Sequence, residues 1–131
     1  MHEQNELYAS KIFFNAALPL LKVIATDVPS LKAKFDKLTT VLQVSALDPE
    51  AEGGKYATHF IITEGEWETK LNAIHEAPDV ELEFKSIEAM NGFFKGKIGP
   101  KTLPKMKGVV KNFSAFKAML MTLLKLSALT G

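Results

Sequence analysis

The sequence predicts an α+β fold: a five-stranded, mainly antiparallel sheet covered by helices on one side. Three observations carry this. Apolar and charged residues alternate with a period of two through the middle of the chain, residues 39–84. Apolar segments with helical spacing flank that stretch, at residues 1–38 and 86–131. Turn residues separate the periodic runs with no linker or internal repeat between them, so residues 1–131 read as a single domain. A chain of this length buries about two-thirds of its unfolded surface without needing a disulfide or metal staple.

Leu7 to about Ala25 is helical in pattern. On a wheel Lys11, Asn15 and Lys22 share one narrow side and most of the rest is apolar. Pro19 either kinks one helix or starts a second. Ile12–Ala25 has the apolar character of a secretory leader. Lys22 interrupts it, Met1–Ser10 holds no Lys or Arg, and no small-x-small site follows, so it is read as a helix of the folded domain. "DVPSLKAKFDKL" is a further short helix, with Pro29 near its start and Leu31, Phe35 and Leu38 facing inward.

From Thr39 the period changes to two. "TTVLQVSAL" and "YATHFIIT" are strands around the turn "DPEAEGGK". Glu64–Gly65 turns the chain into "EWETKL", where Trp67, Thr69 and Leu71 alternate with Glu66, Glu68 and Lys70. In "DVELEF", Val80, Leu82 and Phe84 oppose Glu81 and Glu83. Such alternation predicts antiparallel strands with one face toward water, where the acids keep the sheet soluble. Ser86 is placed to cap the helix "SIEAMNGFFK", with Glu88 in its first turn and Gly96 as its left-handed terminator. "LPKMKG" fits a short fifth strand that Pro104 confines to an edge or a strand start, and a last helix runs from about Ser114 to Leu129.

Composition narrows the function. Cys is absent, which excludes disulfides, thiolate chemistry and zinc–sulfur sites and suits a reducing, cytoplasmic compartment. Residues 1–84 carry seven Lys against fourteen acids, and residues 85–131 carry nine Lys against the single acid Glu88. Such asymmetry points to an anionic partner or to self-complementarity. Every fixed positive charge is Lys, and the lack of Arg argues against sequence-specific nucleic-acid recognition. No run reaches the eighteen or so apolar residues of a membrane span.

Catalytic machinery is not legible. His2, His59 and His75 lie at no metal-ligand spacing, and no nucleophile elbow, P-loop or dinucleotide fingerprint occurs. The expectation is therefore no enzyme, no cofactor and no metal. The surplus is apolar. Phe113, Phe116, Met119, Leu120, Leu123, Leu124 and Leu126 cover an arc of about 160° on the last helix, while Met121 and Leu129 fall on the opposite side with Lys117, Thr122 and Lys125. Met90, Met106, Met119 and Met121 all fall in the C-terminal third, and flexible thioethers suit walls that repack around a ligand. Each of these residues can simply fill a core; together they favour an internal apolar cavity, or a helix lying on a membrane or partner.

Between the last two helices lies "KGKIGPKTLPKMKG", Lys95–Gly108, with five Lys, three Gly, two Pro and no acid. Lys95, Lys97, Lys101, Lys105 and Lys107 are candidates for contact with a lipid headgroup or an anionic membrane; a solvated loop balancing the acidic strands is the plainer reading. Non-specific nucleic-acid binding has only this charge in its favour.

"SIEAMNGFFKGKIGP", Ser86–Pro100, resembles the sterol carrier protein type 2 family. The likeness rests on Ser86, Glu88, Met90, Phe93, Phe94, Gly96, Lys97, Ile98 and Pro100, supported by "GEWETKL" upstream and by "KMKG" and the terminal amphipathic helix downstream. It covers about residues 35–131. Leu103–Pro104 replaces a Gly-Lys step of that family, and "VVKNF" lengthens the approach to the last helix. The resemblance implies an apolar tunnel between sheet and helices. It implies non-covalent binding of a fatty acid, acyl-CoA, sterol or phospholipid, without catalysis. The candidate lipid-contacting residues are Met90, Phe93, Phe94, Met106, Phe116, Met119, Leu120, Leu123 and Leu124. A monomer or weak homodimer is expected. The alternative is an interaction domain serving a larger lipid-metabolising enzyme, with the last helix as a dimerisation surface.

Overall fold

The computed structural model describes residues 4–130, so His2 lies outside the described residues. Helix α1 (Gln4–Ile12) runs into a π-helical turn at Phe13–Ala17, followed by α2 (Leu20–Asp27) and α3 (Pro29–Phe35). Of the two readings of Pro19, the second holds: the proline immediately precedes α2, where its missing N–H costs no helical bond. Strands β1 (Thr39–Leu47), β2 (Lys55–Thr63), β3 (Glu66–Lys70) and β4 (Val80–Phe84) follow, then α4 (Ile87–Phe94), β5 (Lys105–Lys107) and α5 (Phe113–Thr130). Local signals act as expected in several places. Ser86 Oγ accepts from the Ala89 N–H at 3.0 Å, and Gly96 ends α4 at φ +87°.

The sheet has the order β3-β2-β1-β4-β5. Pairings β1–β2, β2–β3 and β4–β5 are antiparallel, but β4 lies parallel to β1, with Leu42 opposite Val80 and Ala46 opposite Phe84. The sheet is mainly antiparallel as expected, and β4 is the exception to the reading of residues 39–84 as antiparallel strands. After β3 the chain does not turn back beside its neighbour. Residues 71–79 cross the face of β2 and β1 that lies away from the helices, held there by bonds from His59 Nδ1 to the Ala73 carbonyl (2.7 Å), from the His75 N–H to Gln43 Oε1 (2.7 Å) and from the Asp79 N–H to the Val41 carbonyl (2.9 Å). Alternation reports which face a side chain takes, not which strand lies alongside.

A second correction concerns Glu81 and Glu83. They do point away from Val80, Leu82 and Phe84, yet only 4% and 8% of their surface is exposed. Flanking strands supply the cover and the countercharge. Glu81 Oε2 accepts from Ser45 Oγ at 2.5 Å and from Lys55 Nζ at 2.8 Å, and Glu83 Oε2 accepts from Lys55 Nζ at 3.2 Å and Lys107 Nζ at 2.9 Å. Charges withdrawn from water persist only when so paired and hydrogen-bonded.

The helices cover the other face. Leu42, Val44, Phe60, Ile62, Leu82 and Phe84 meet Leu18, Leu21, Phe35, Met90, Met119 and Leu123 in one continuous core. Phe13 of the π-helical turn stacks on Phe94 at a centroid distance of 4.3 Å, tying the N-terminal helices to α4. Asn91 closes the same junction, donating to the Glu6 carbonyl (2.9 Å) and the Glu6 carboxylate (2.8 Å). Among the described residues no single helix is long and apolar enough to cross a membrane.

Candidate functional site

Helix α5 is the longest helix and starts from a rigid turn. Gly108 has φ +78°, and a Cβ there would collide with the Asp79 carbonyl. Asn112 Nδ2 donates to that carbonyl at 3.0 Å and to the Gly108 carbonyl at 3.2 Å, and the Asn112 carbonyl accepts the Phe116 N–H at 2.9 Å. Asp79 in turn accepts from the Val41 N–H through its carboxylate at 2.7 Å. The beginnings of β1, β4 and α5 are thus fastened together at one end of the sheet.

At that end α3 and α5 flank a groove of about 700 Å³, within the range of small-molecule sites. Ser30, Ala33, Lys34, Lys37 and Leu38 line one wall, and Phe113, Ser114 and Lys117 the other. The lining holds three lysines and no acid. Phe113 is 60% exposed and its ring lies 6.3 Å from that of Phe116, which is almost fully buried. An aromatic step therefore leads from the open groove into the core, where Met119 and Leu123 follow on α5 and Leu120 packs at the margin.

The candidate residues named from the sequence divide into groups. Met90, Phe93, Phe116, Met119 and Leu123 sit together in the core between sheet and helices, with Phe94 and Leu120 packed against it. Met106, on edge strand β5, and Leu124, on the outer side of α5, are 41% and 44% exposed and stand apart from that group. Where the resemblance implied a tunnel, the side chains are packed as core. Thr122, expected on the outer side of α5, is buried, because α2 and β1 both contact this helix and widen its covered arc; its hydroxyl donates to the Ala118 carbonyl at 2.7 Å.

The five candidate lysines do not share one surface. Lys95, Lys97 and Lys101 belong to the loop after α4, where Lys97–Thr102 outline a shallow hollow of about 450 Å³. Lys105 and Lys107 lie opposite Glu83 and Glu81 on β5, and Lys107 is engaged by both carboxylates, at 2.9 and 3.9 Å. Sequence reasoning missed Lys34, Lys37 and Lys117. Nothing in the linear order links two residues at the end of one short helix to one some eighty positions later, although the apolar i, i+4 spacing of Leu31 and Phe35 did indicate which side of α3 faced inward.

On the sheet face turned away from the helices, the rings of His59 and His75 meet edge to face at 5.1 Å. His59 Nδ1 donates to the Ala73 carbonyl, and His75 Nδ1 accepts from the Ala77 N–H at 3.1 Å. Burial pushes the Glu81 carboxyl up, but hydrogen bonds from Lys55, Ser45 and Gln43 and the Lys55 charge outweigh it, leaving it below the usual carboxylate range. Burial likewise pushes the Lys55 amine down, and its bonds to Glu81 and Glu83 and their charges raise it above its ordinary value. Burial, with Asp48 and Glu50 nearby, raises the Tyr56 phenol. Among the described residues no three His, Asp or Glu side chains converge as a metal site would require.

The order of elements, the mixed sheet and the one-sided helical cover define a sterol-carrier-like α+β fold. Two solved structures share it. The crystal structure of sterol carrier protein 2 matches at a TM-score of 0.62 and 15% identity, covering 88% of this chain and 95% of that one. The solution structure of a conserved hypothetical protein from Thermus thermophilus, described as a possible sterol carrier protein, matches at a TM-score of 0.60 and 14% identity, covering 88% of this chain and 86% of that one. No protein-family model matches the chain, and no curated protein matches it in sequence.

Proposed function

We propose that the protein is a non-catalytic lipid-binding module that holds one long-chain ligand, such as a fatty acid or acyl ester, and carries it. The tail lies between sheet and α5, against Met90, Phe94, Phe116, Met119, Leu120 and Leu123, and the polar end rests in the α3–α5 groove. The observation that carries this reading is the groove itself: Lys34, Lys37 and Lys117 surround a mouth without acids, and Phe113 and Phe116 lead from it to the core. Thioethers of Met90 and Met119 give the packed interior the means to repack as the tail enters. The name of the structural neighbour, a sterol carrier protein, supports a lipid as the ligand. Absence of Cys suits a reducing compartment such as the cytoplasm.

Burying a sixteen-carbon tail is worth about 12 kcal/mol gross, at about 0.8 kcal/mol per methylene. Association and ordering costs remove half or more, which leaves affinities near micromolar. Titration with a fluorescent fatty acid, together with organic extraction and mass spectrometry of the purified protein, tests the reading. Saturable uptake near micromolar supports it; no saturable uptake of any acyl ligand and no extracted lipid would sink it.

A second reading, a dimerisation module accessory to a larger enzyme, draws on the outer side of α5, where Met121, Leu124 and Leu129 are exposed. A lipid-free protein that remains a tight dimer on dilution, and loses it in Leu124→Glu, would favour that reading.

A further inference from the structure

Val110 is 96% exposed, more than any other large apolar side chain among the described residues, and it sits at the tip of the turn that starts α5. Val109 beside it packs against the core, while Lys111 is exposed. Phe113, three residues on, is also largely exposed and forms one wall of the groove. Lys34, Lys37 and Lys117 stand around the same groove. Two acids near this end are engaged. Asp36 pairs with Lys32 at 2.6 Å, and the Asp79 carboxylate accepts from Val41 N–H and Thr40 Oγ1. Glu64 and Glu66 flank Gly65 in the turn before β3, which meets the end of α3 at Asp36.

An exposed valine and phenylalanine on a turn would ordinarily be free to fold back. Here Gly108 and Asn112 fasten the backbone that carries them to Asp79, and both side chains stand outward. A rigid apolar tip with lysines behind it is a surface preorganised for the boundary of an anionic bilayer, where apolar tips enter the acyl region and amines meet phosphates.

We propose that the turn 109–113 docks the protein on anionic membranes, with Val110 and Phe113 entering the bilayer interface and Lys111, Lys34, Lys37 and Lys117 contacting its phosphates. The groove mouth then opens onto lipid, so a ligand passes between bilayer and protein without crossing water. This rests on the lipid-binding reading for its purpose, but not for its measurement. It places docking at the α5 start, at the other end of that helix from Lys95, Lys97 and Lys101, since Ser127 near the end of α5 bonds to the Phe94 carbonyl at 3.1 Å.

The test is sedimentation with vesicles of phosphatidylcholine containing about 30% phosphatidylserine, against vesicles of phosphatidylcholine alone, at low and physiological salt. The wild type should bind the anionic vesicles more tightly and lose part of that binding with salt. Val110→Asp, fully exposed and outside the groove lining, should weaken binding about tenfold without changing thermal stability. Lys111→Gln should weaken it about fivefold. The double variant Lys97→Gln, Lys101→Gln should bind like the wild type. Fatty-acid uptake in solution by Val110→Asp should be unchanged. Wild-type sedimentation by Val110→Asp overturns the docking surface, whatever the fatty acid does. Docking that depends on Val110 in a protein that captures no acyl ligand leaves the surface standing and removes the lipid-binding reading instead.

Discussion

Lys55 Nζ lies 2.8 Å from Glu81 Oε2 on the sheet face turned away from the helices, and both groups are largely withdrawn from water. Glu81 is held below its ordinary carboxylate range, so its stabilising effect is present above the unfolded value and is lost as pH falls through the folded one. Lys55 is raised, so its effect is complete below its unfolded value and is lost as pH climbs through the folded one. Stability should be flat through neutrality and decline on both sides, below about pH 4 and above about pH 10. Glu81→Gln should cost at most about 3 kcal/mol at pH 7, at the low end for a broken buried pair because Glu83 remains beside Lys55. Urea unfolding at pH 7 and in acid reads both effects; a variant that parallels the wild type across the acid limb would refute the assignment.

Leu120 lies at the margin of the core, so a charge there reaches water more easily than at Met119 or Leu123. Leu120→Asp should keep the fold, as judged by circular dichroism, and abolish uptake of a fluorescent fatty acid. Undiminished uptake by a folded Leu120→Asp protein would exclude α5 as a wall of the ligand site. His59→Gln and His75→Gln should leave uptake within a few-fold, because both rings lie across the sheet from the groove.

The groove lysines should read the charge of the ligand. Exposed ion pairs contribute up to about 1 kcal/mol each, so replacing Lys34, Lys37 and Lys117 together with Gln should weaken a fatty acid by about tenfold or more. The corresponding fatty alcohol should be bound equally by both proteins. Competition titrations with the acid and the alcohol give the ratio; an unchanged ratio would place the polar end elsewhere.

Two left-handed glycines should differ in cost. At Gly96 an added Cβ meets open space, so Gly96→Ala carries only the backbone penalty, about 1 kcal/mol. At Gly108 the same strain is joined by collision with the Asp79 backbone, and Gly108→Ala should cost about 2 kcal/mol or more. Thermal unfolding of the pair checks this. Equal losses would mean that the β1–β4–α5 fastening relaxes at no cost.

Much of the architecture was legible because it is written in local chemistry. Ser86 and Gly96 bound α4 through a cap and a positive φ that neighbouring residues alone require. Val80, Leu82 and Phe84 announce their buried face by spacing, since successive strand side chains point to opposite sides. Likeness around Ser86–Pro100 pointed to the sterol-carrier fold that the structural neighbours share. Tertiary structure alone decided the partners. Strand spacing says nothing of pairing, so the parallel union of β4 with β1 and the passage of residues 71–79 over the sheet were not legible. Glu81 and Glu83 read as wet because a carboxylate in isolation belongs in water; they became buried when strands distant in sequence brought Lys55 and Lys107 to them. The same reason separates the basic loop from the groove. A run of lysines is visible in one dimension, whereas Lys34, Lys37 and Lys117 share a mouth only because the packing of α3 against α5 closes the distance between them.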